Sequence, residues 1–376
     1  MFKSEHVRLA LLLTVLLIIA VYVPAPVQAR SPTEALEFFL QEQRQVQRIP
    51  GLAFALVQDG EIITTSAYGV DGYGNPLTIE TPFMLGSLSK SFTTLAVMTL
   101  VEDQRLELDA PVQQYLLEFT LTDQSAAATI TVRHLLNQVS GLSDSSAPAA
   151  ATADPTDLQQ AVASLHTATT GSAVGTKFAY FNHNYLLLGR LIEVVSGQAY
   201  ADYLRDAVST PLALRDTTVS AGSNDLPQTA PELPYSHLTL FVFPLAQPEP
   251  LPYGAPAGGI ISTARDMARY LALYTDPTPA LVTPETITLM LTRQTDLERM
   301  YAMGWYEADP RAIPRIIEHS GDVSTYHADM VFSPETNTAL AGNDARPGLL
   351  NTTNVGSVLG IIVVLSVLKD LSGILS

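Results

Sequence analysis

Ser87 and Lys90 have the types and the spacing for nucleophilic chemistry. Three residues apart, they share one face of a helix, one turn from each other. A serine hydroxyl is a weak nucleophile until a base takes its proton, and an amine desolvated by apolar neighbours becomes such a base. The pair sits in a small polar knot, Gly86-Ser87-Leu88-Ser89-Lys90, that opens an apolar run within the stretch Phe83–Leu108. The chain has only four lysines, Lys3, Lys90, Lys177 and Lys369, so the placement of one beside this serine is informative. A second Ser-x-x-Lys, Ser366 to Lys369, lies in an apolar C-terminal segment with no turn before it, and is read as chance.

The elements around the pair are legible from periodicity and turn residues. Val97, Met98, Leu100 and Val101 continue a helix with few charges until Glu102 and Asp103, which predicts a central helix packed on several sides. Before it, Ser31-Pro-Thr-Glu starts a helix that runs to about Arg48. LAFALVQ and EIITTSAY then read as two strands joined at Asp59-Gly60, a hairpin signature. After the central helix, a short helix is expected from Leu106 around Pro111, another over Thr131–Asn137, and longer ones over Asn184–Val195, Tyr200–Val208 and Thr263–Tyr274. Residues 143–176 read as a surface loop with one short helix near Leu158–His166. Residues 231–256 hold seven prolines and read as a stiff loop without regular structure. Met303–Glu307, Arg315–Glu318, Tyr326–Ser333 and Thr338–Asn343 are strand-like, and Val355–Leu368 reads as an apolar helix of 14 residues. Strands at both ends with helices between predict an α+β fold. One antiparallel sheet is built from both chain ends and flanked by helices, with an inserted all-helical region. The expected boundaries are a sheet part over about 32–85 and 285–376 and a helical part over about 86–284.

Three further stretches complete a constellation. They are Tyr180-Phe181-Asn182 ahead of a helix, His319-Ser320-Gly321 after a strand, and Ala255-Pro-Ala-Gly-Gly at the close of the proline-rich segment. Together with Ser87-x-x-Lys90 they resemble the serine β-lactamase-like and penicillin-binding family, in particular its class C β-lactamase, D-alanyl-D-alanine carboxypeptidase and esterase branch. Order and spacing match: Ser-x-x-Lys, Tyr-x-Asn about 90 residues on, His-x-Gly near the end. HLLNQVSGL (134–142) and NHNYLLLGRLIEVVSG (182–197) look like the same family. An earlier Tyr-x-Asn, Tyr73 to Asn75, precedes the nucleophile in a turn and is set aside.

The resemblance implies the β-lactamase/transpeptidase-like fold over roughly residues 33–370 and a serine hydrolase acting through an acyl-enzyme on Ser87. Small esters, D-amino-acid peptides or β-lactams suit such machinery; a non-hydrolytic penicillin- or peptidoglycan-binding envelope protein is the alternative. Lys90 and Tyr180 are the two candidates for the base. A phenol of pKa about 10 costs roughly 4 kcal/mol to ionise at pH 7. A cationic amine about 4 Å away supplies roughly the same at an effective dielectric near 20. A phenolate beside Lys90 and a neutral Lys90 are therefore both accessible. Tyr180 would return a proton to the leaving group. Asn182 would hold substrate or fix Lys90, against the plainer role of a helix cap. The oxyanion would sit between the backbone N–H groups of Ser87 and Asp322, with Gly321 letting substrate approach that strand. The resemblance also implies that the proline-rich segment reaches the site, which would bring Tyr253 to the cleft. Where many β-lactamases carry Lys-Thr-Gly, this chain has His319, mostly neutral at pH 7 and a weaker holder of a substrate carboxylate.

Composition bounds the remaining possibilities. A net charge of −17 lacks the electrostatic footprint of a nucleic-acid binder. His134, His166, His183, His237 and His327 show no metal-ligand spacing, and no metal or organic cofactor is implied. Residues 1–29 read as an export signal: a basic start at Lys3 and Arg8, an apolar run over 9–23, and Val27-Gln28-Ala29 for cleavage. The expected location is periplasmic or extracellular, with a membrane tether through 9–23 only if the segment is retained. The chain has no cysteine, so the exported protein relies on its core and not on disulfides.

Overall fold

The computed structural model describes residues 31–71, 74–220, 235–238, 241–244, 252–276, 278–279, 281–293, 301–307, 314–323 and 326–345. The export segment, the apolar helix expected over 355–368, the second Ser-x-x-Lys and Tyr73 lie outside them. Contacts divide the chain into two units, 1–39 and 40–376. Of the first, the described part is the opening of helix α1 (Pro32–Val46). Its start is a reciprocal cap: the Ser31 N–H donates to Glu34 Oε2 at 2.7 Å, and the Glu34 N–H to Ser31 Oγ at 3.2 Å.

In the second unit, β1 (Gly51–Gln58) and β2 (Glu61–Gly69) form the expected hairpin. Asp59 and Gly60 carry φ of 50° and 79° at its two-residue turn, as a turn of the primed kind demands. The segment around Ser87 divides into β3 (Phe83–Met84), a tight 3-10 turn (Gly86–Leu88) and α2 (Ser89–Glu102). Every residue from Ser89 to Met98 is buried, so α2 is the central helix its composition predicts. Its hydroxyls are satisfied internally: Thr93 Oγ1 donates to Pro256 O at 2.7 Å and Tyr270 donates to Ser91 Oγ at 2.9 Å.

Short helices α3 (Gln124–Thr129), α4 (Val132–Leu136), α5 (Pro148–Thr152) and α6 (Leu158–Ala163) follow, then α7 (Asn182–Ser196) and α8 (Tyr200–Leu204). The helix expected from Leu106 is instead a single 3-10 turn, Val112–Gln114. The Val112 N–H is committed to Ile130 O at 2.8 Å, which ties this segment to the chain ahead of α4 rather than into a helix. Residues 143–176 hold two helices where one was expected. Ala147, Ala150, Ala161, Val162 and Leu165 are buried there, small side chains that pack closely although their composition reads as loop.

The strands β4 (Thr218–Val219), β5 (Tyr235–Leu238) and β6 (Phe241–Pro244) come next, then α9 (Ala255–Gly258), β7 (Ile260–Ser262), α10 (Ala264–Thr275) and α11 (Pro284–Leu291). The proline-rich segment thus contains a two-stranded ribbon, β5 with β6, its Pro244 at a strand end where a missing N–H costs least. β3, β7 and β4 make a small sheet, so the inserted region is helical apart from short strands.

β8 (Tyr301–Ala302), β9 (Trp305–Glu307), β10 (Ile317–Val323), β11 (Tyr326–Ser333) and β12 (Thr338–Ala345) complete the main sheet. Its order is β2-β1-β12-β11-β10-β9-β8, antiparallel throughout. Both chain ends therefore build it, with β12 beside β1. Ala53, Ala55 and Val57 face Asn343, Ala341 and Ala339 on neighbouring strands. These small side chains let α10 lie close on the sheet, and they are fully or almost fully buried.

Candidate active site

Ser87 lies in the middle of the 3-10 turn that delivers the chain into α2. The turn is wedged against β10. A Cβ on Gly321 would stand 2.0 Å from Leu85 O and 2.8 Å from the Ser87 nitrogen, so only glycine fits. A Cβ on Gly86, whose φ is +53°, would stand 2.8 Å from the Asp322 nitrogen. This double close approach brings the backbone nitrogens of Ser87 and Asp322 to one place. The His319-Ser-Gly motif is part of strand β10, which runs on to Val323 rather than ending at Glu318 as expected.

Lys90 is completely buried at the start of α2. Its Nζ is 3.1 Å from Ser87 Oγ and donates to Ala257 O at 2.7 Å. Burial alone lowers its pKa to about 7. The Ala257 carbonyl belongs to α9, so the Ala-Pro-Ala-Gly-Gly stretch holds the lysine head and, through Pro256 O, the next turn of α2 as well. Among the described residues no carboxylate pairs with Lys90, and a charged amine at this depth would go uncompensated by them.

Tyr180 is half-buried, its ring centroid 4.7 Å from Lys90 Nζ. Burial pushes its pKa up to about 12, and a hydrogen bond with Ser87 opposes the rise. The chain at Tyr180 is pinned on both sides by Gln138. The Ala179 N–H donates to Gln138 O at 2.9 Å, and the Phe181 N–H to Gln138 Oε1 at 3.1 Å. Asn184 Nδ2 also donates to Gln138 Oε1, at 2.6 Å, while Asn184 Oδ1 accepts from Ser140 Oγ at 2.8 Å. Gln138, fully buried at φ 58°, and Asn184, fully buried, tie the 134–142 and 182–197 stretches together behind Tyr180.

Asn182 is exposed on the first turn of α7, and its side chain lines the cavity in front of Ser87. Phe181 is the residue at the cap position, and Lys90 is fixed by Ala257, so neither the capping nor the lysine-holding role falls to Asn182. His319 is only 3% exposed and is not on the cavity wall. Its ring lies beside Tyr301 and Tyr306, centroids 6.2 and 5.2 Å away. Nδ1 must carry the proton, because it donates to Ser320 O at 2.6 Å. Burial, aided by Lys90, lowers the pKa of His319 to about 3, so the ring is neutral.

The cavity holds about 630 Å³, with Ser87, Asn182, Tyr253 and Asp322 on its wall. Tyr253 therefore stands where the sequence placed it. Asp144, His183 and Ser220 line it as well and were not foreseen. His183 sits next to Asn182 in the motif itself; Asp144 and Ser220 carry no local pattern that marks them. Among the described residues, no group of three or more His, Cys, Asp or Glu could hold a metal ion.

Comparison with known proteins places this geometry. The chain resembles "Protein flp" of Staphylococcus aureus strain MW2, 24% identical over 310 residues that cover 81% of this chain. The match spans 61% of that protein's length. The fold matches the octameric penicillin-binding protein homologue from Pyrococcus abyssi with a TM-score of 0.69, at 27% identity over 84% of this chain and 74% of the other. A D-stereospecific amidohydrolase from Streptomyces sp. matches with a TM-score of 0.64, at 25% identity over 79% of this chain and 89% of the other. The Beta-lactamase family model matches residues 37–347, and the chain belongs to that family.

Proposed function

We propose that this protein is an exported serine hydrolase that cleaves small esters and amides through an acyl-enzyme on Ser87. The observation that carries the reading is a buried amine of pKa about 7, 3.1 Å from the Ser87 hydroxyl. At neutral pH about half of such amines are deprotonated at no further cost. Ionising a phenol of pKa about 12 instead costs roughly 7 kcal/mol at pH 7. Lys90 is therefore the base, and Tyr180 stays a phenol. As Ser87 Oγ attacks the carbonyl carbon, its proton passes to Lys90 Nζ, and the negative charge moves onto the carbonyl oxygen. The Ser87 and Asp322 N–H groups receive that oxygen. The leaving group then takes a proton from the Tyr180 hydroxyl, which Lys90 resupplies, and water repeats the sequence in reverse to release the acid.

Three features support esters and amides over β-lactams. His319 is buried and neutral, so the β10 edge offers no cation for a β-lactam carboxylate. The amidohydrolase likeness is to an enzyme described as D-stereospecific, which favours D-amino-acid amides and peptides among the amides. Small esters require the least of the site. The reading of residues 1–29 as an export signal supports a reaction outside the cytoplasm. The test is hydrolysis of p-nitrophenyl acetate by wild type and by Ser87→Ala. Turnover that vanishes in Ser87→Ala supports the reading. Equal rates for the two proteins contradict it and leave the penicillin- or peptidoglycan-binding alternative.

A further inference from the structure

The charge on the cavity wall is one-sided. Among the described residues that line it, Asp144 and Asp322 carry the formal charges, and no arginine or lysine reaches the wall. Two nearby groups that could supply positive charge are withdrawn from it: His319 is 3% exposed and Lys90 fully buried. His183 is on the wall, but its ring stacks on Phe181 at 4.9 Å, and burial lowers its pKa. Asp144 acts in the opposite direction on that ring and does not reverse the shift.

The two carboxylates differ in commitment. Asp322 Oδ1 is 2.8 Å from His327 Nδ1, while Asp329 Oδ2 takes the other ring nitrogen at 2.8 Å. Asp144 makes no hydrogen bond or ion pair among the described residues and is exposed. It is thus a free carboxylate at the cavity, available to a cation. A second, separate feature points to a ligand there. Ser220 is 1% exposed and lines the cavity, and its Oγ is buried without a hydrogen-bond partner among the described residues. Its backbone is fixed, the N–H donating to Gly259 O at 2.8 Å. Leaving a hydroxyl buried and unpaired costs about 1–3 kcal/mol, which a substrate polar atom would restore.

We infer that the cavity selects substrates with a free ammonium group, held by Asp144, and a second polar atom, held by Ser220: amino-acid amides and short peptides with an unblocked amine. This rests on the hydrolase reading of the same cavity and makes its amide substrates cationic. Substrates that present a carboxylate to this wall meet like charge from Asp144 and Asp322 and are disfavoured.

The test uses three p-nitroanilides of D-phenylalanine at pH 7: the free amine, the N-acetyl compound and the N-succinyl compound, with charges running from positive through neutral to negative. Wild type should favour the free amine over the acetyl compound by about five- to tenfold in kcat/KM, the scale of one partly solvated ion pair, with the succinyl compound lowest. Asp144→Asn should bring the free-amine to acetyl ratio near one, and Asp144→Lys should move the preference toward the succinyl compound. Ser220→Ala should lower kcat/KM for the free amine without changing the order. An acetyl or succinyl compound cleaved as fast as the free amine, or a ratio that ignores Asp144→Asn, overturns the inference. p-Nitrophenyl acetate separates the two levels. Ser87-dependent ester cleavage with no anilide cleaved removes this inference alone, whereas no ester cleavage removes the hydrolase reading and the inference with it.

Discussion

Gly321 stands so close to Ser87 that a Cβ on it would come within 2.8 Å of the Ser87 backbone nitrogen and 2.0 Å of Leu85 O. The nucleophile's turn and strand β10 are thus packed backbone to backbone. The rigidity of that contact fixes the two N–H groups proposed to receive the oxyanion. Gly321→Ala should push the turn off β10, lowering kcat/KM by roughly 100-fold or more, the scale of losing one oxyanion donor. Overpacking of this kind costs about 1–3 kcal/mol of stability. Ester kinetics and a thermal melt on the same sample check both effects, and a variant with near-wild-type rates would show that this contact does not set the site.

Lys90 should place one limb of the pH profile. With its pKa lowered to about 7, kcat/KM should rise with pH through about 7 as the amine loses its proton. Of Lys90, His319 and Tyr180, Lys90 is the one that titrates there, since His319 is held near 3 and Tyr180 near 12. A flat profile between pH 6 and 8, the range bracketing that value, would count against a neutral lysine base.

The same burial has a stability consequence. Lys90 is lowered from 10.5 to about 7 on folding, so between those values the unfolded chain binds more protons and stability rises with pH. At neutral pH and below, the fold bears the cost of the buried amine. Lys90→Met should be inactive yet melt higher than wild type at pH 7, by an amount equivalent to a few kcal/mol, and the gain should shrink toward pH 10. Differential scanning calorimetry at the two pH values reads this directly; a variant that melts lower at pH 7 would contradict it.

Gln138 positions Tyr180 without touching the reacting atoms. Gln138→Ala leaves the Phe181 N–H and the Asn184 amide without their acceptor, a loss of about 1–3 kcal/mol. Because Tyr180 is proposed to protonate the leaving group, kcat should fall more for amides, which have poor leaving groups, than for p-nitrophenyl esters. Gln138→Glu, which keeps an acceptor oxygen, should recover part of the loss. A uniform loss across leaving groups would mark Gln138 as merely structural.

Glu318, on β10, has its pKa raised to about 7 by burial and, secondarily, by Asp329, and its Oε2 is buried without a partner among the described residues. The folded state then holds a proton that the unfolded chain releases near 4.5, so this contribution is present in acid and is lost as pH rises through about 7. Glu318→Gln should therefore raise the melting temperature at pH 8 and change it little at pH 4.5. Equal effects at both would rule out this titration.

Much of the site was legible because its chemistry needs rare residues at fixed spacing. Ser87, Lys90 and Tyr180 follow from side-chain type and order, and the Asp59-Gly60 hairpin follows from turn chemistry. The sheet built from both ends followed from where the strand patterns fall. What pattern cannot carry is contact between distant segments. The Ala257 carbonyl that holds Lys90 is a backbone atom 167 residues away, and nothing in an alanine announces it. Gln138 was visible only as a polar residue among apolar ones, without its partners. His319, expected at the substrate, shares with Gly321 the face of β10 that meets the Ser87 turn, where it lies buried beside Tyr301 and Tyr306. Within 143–176 the helix at Leu158–Ala163 was expected, but that at Pro148–Thr152 was missed because alanines bury little area and leave no strong periodicity.

The most direct measurement is peptide mapping by mass spectrometry of protein quenched in acid during turnover of p-nitrophenyl acetate. The account predicts one added acetyl group, located on Ser87, absent in Ser87→Ala and strongly reduced in Lys90→Met. An acetyl group on any other residue, or turnover with Ser87 unmodified and with undiminished rate in Ser87→Ala, would contradict it.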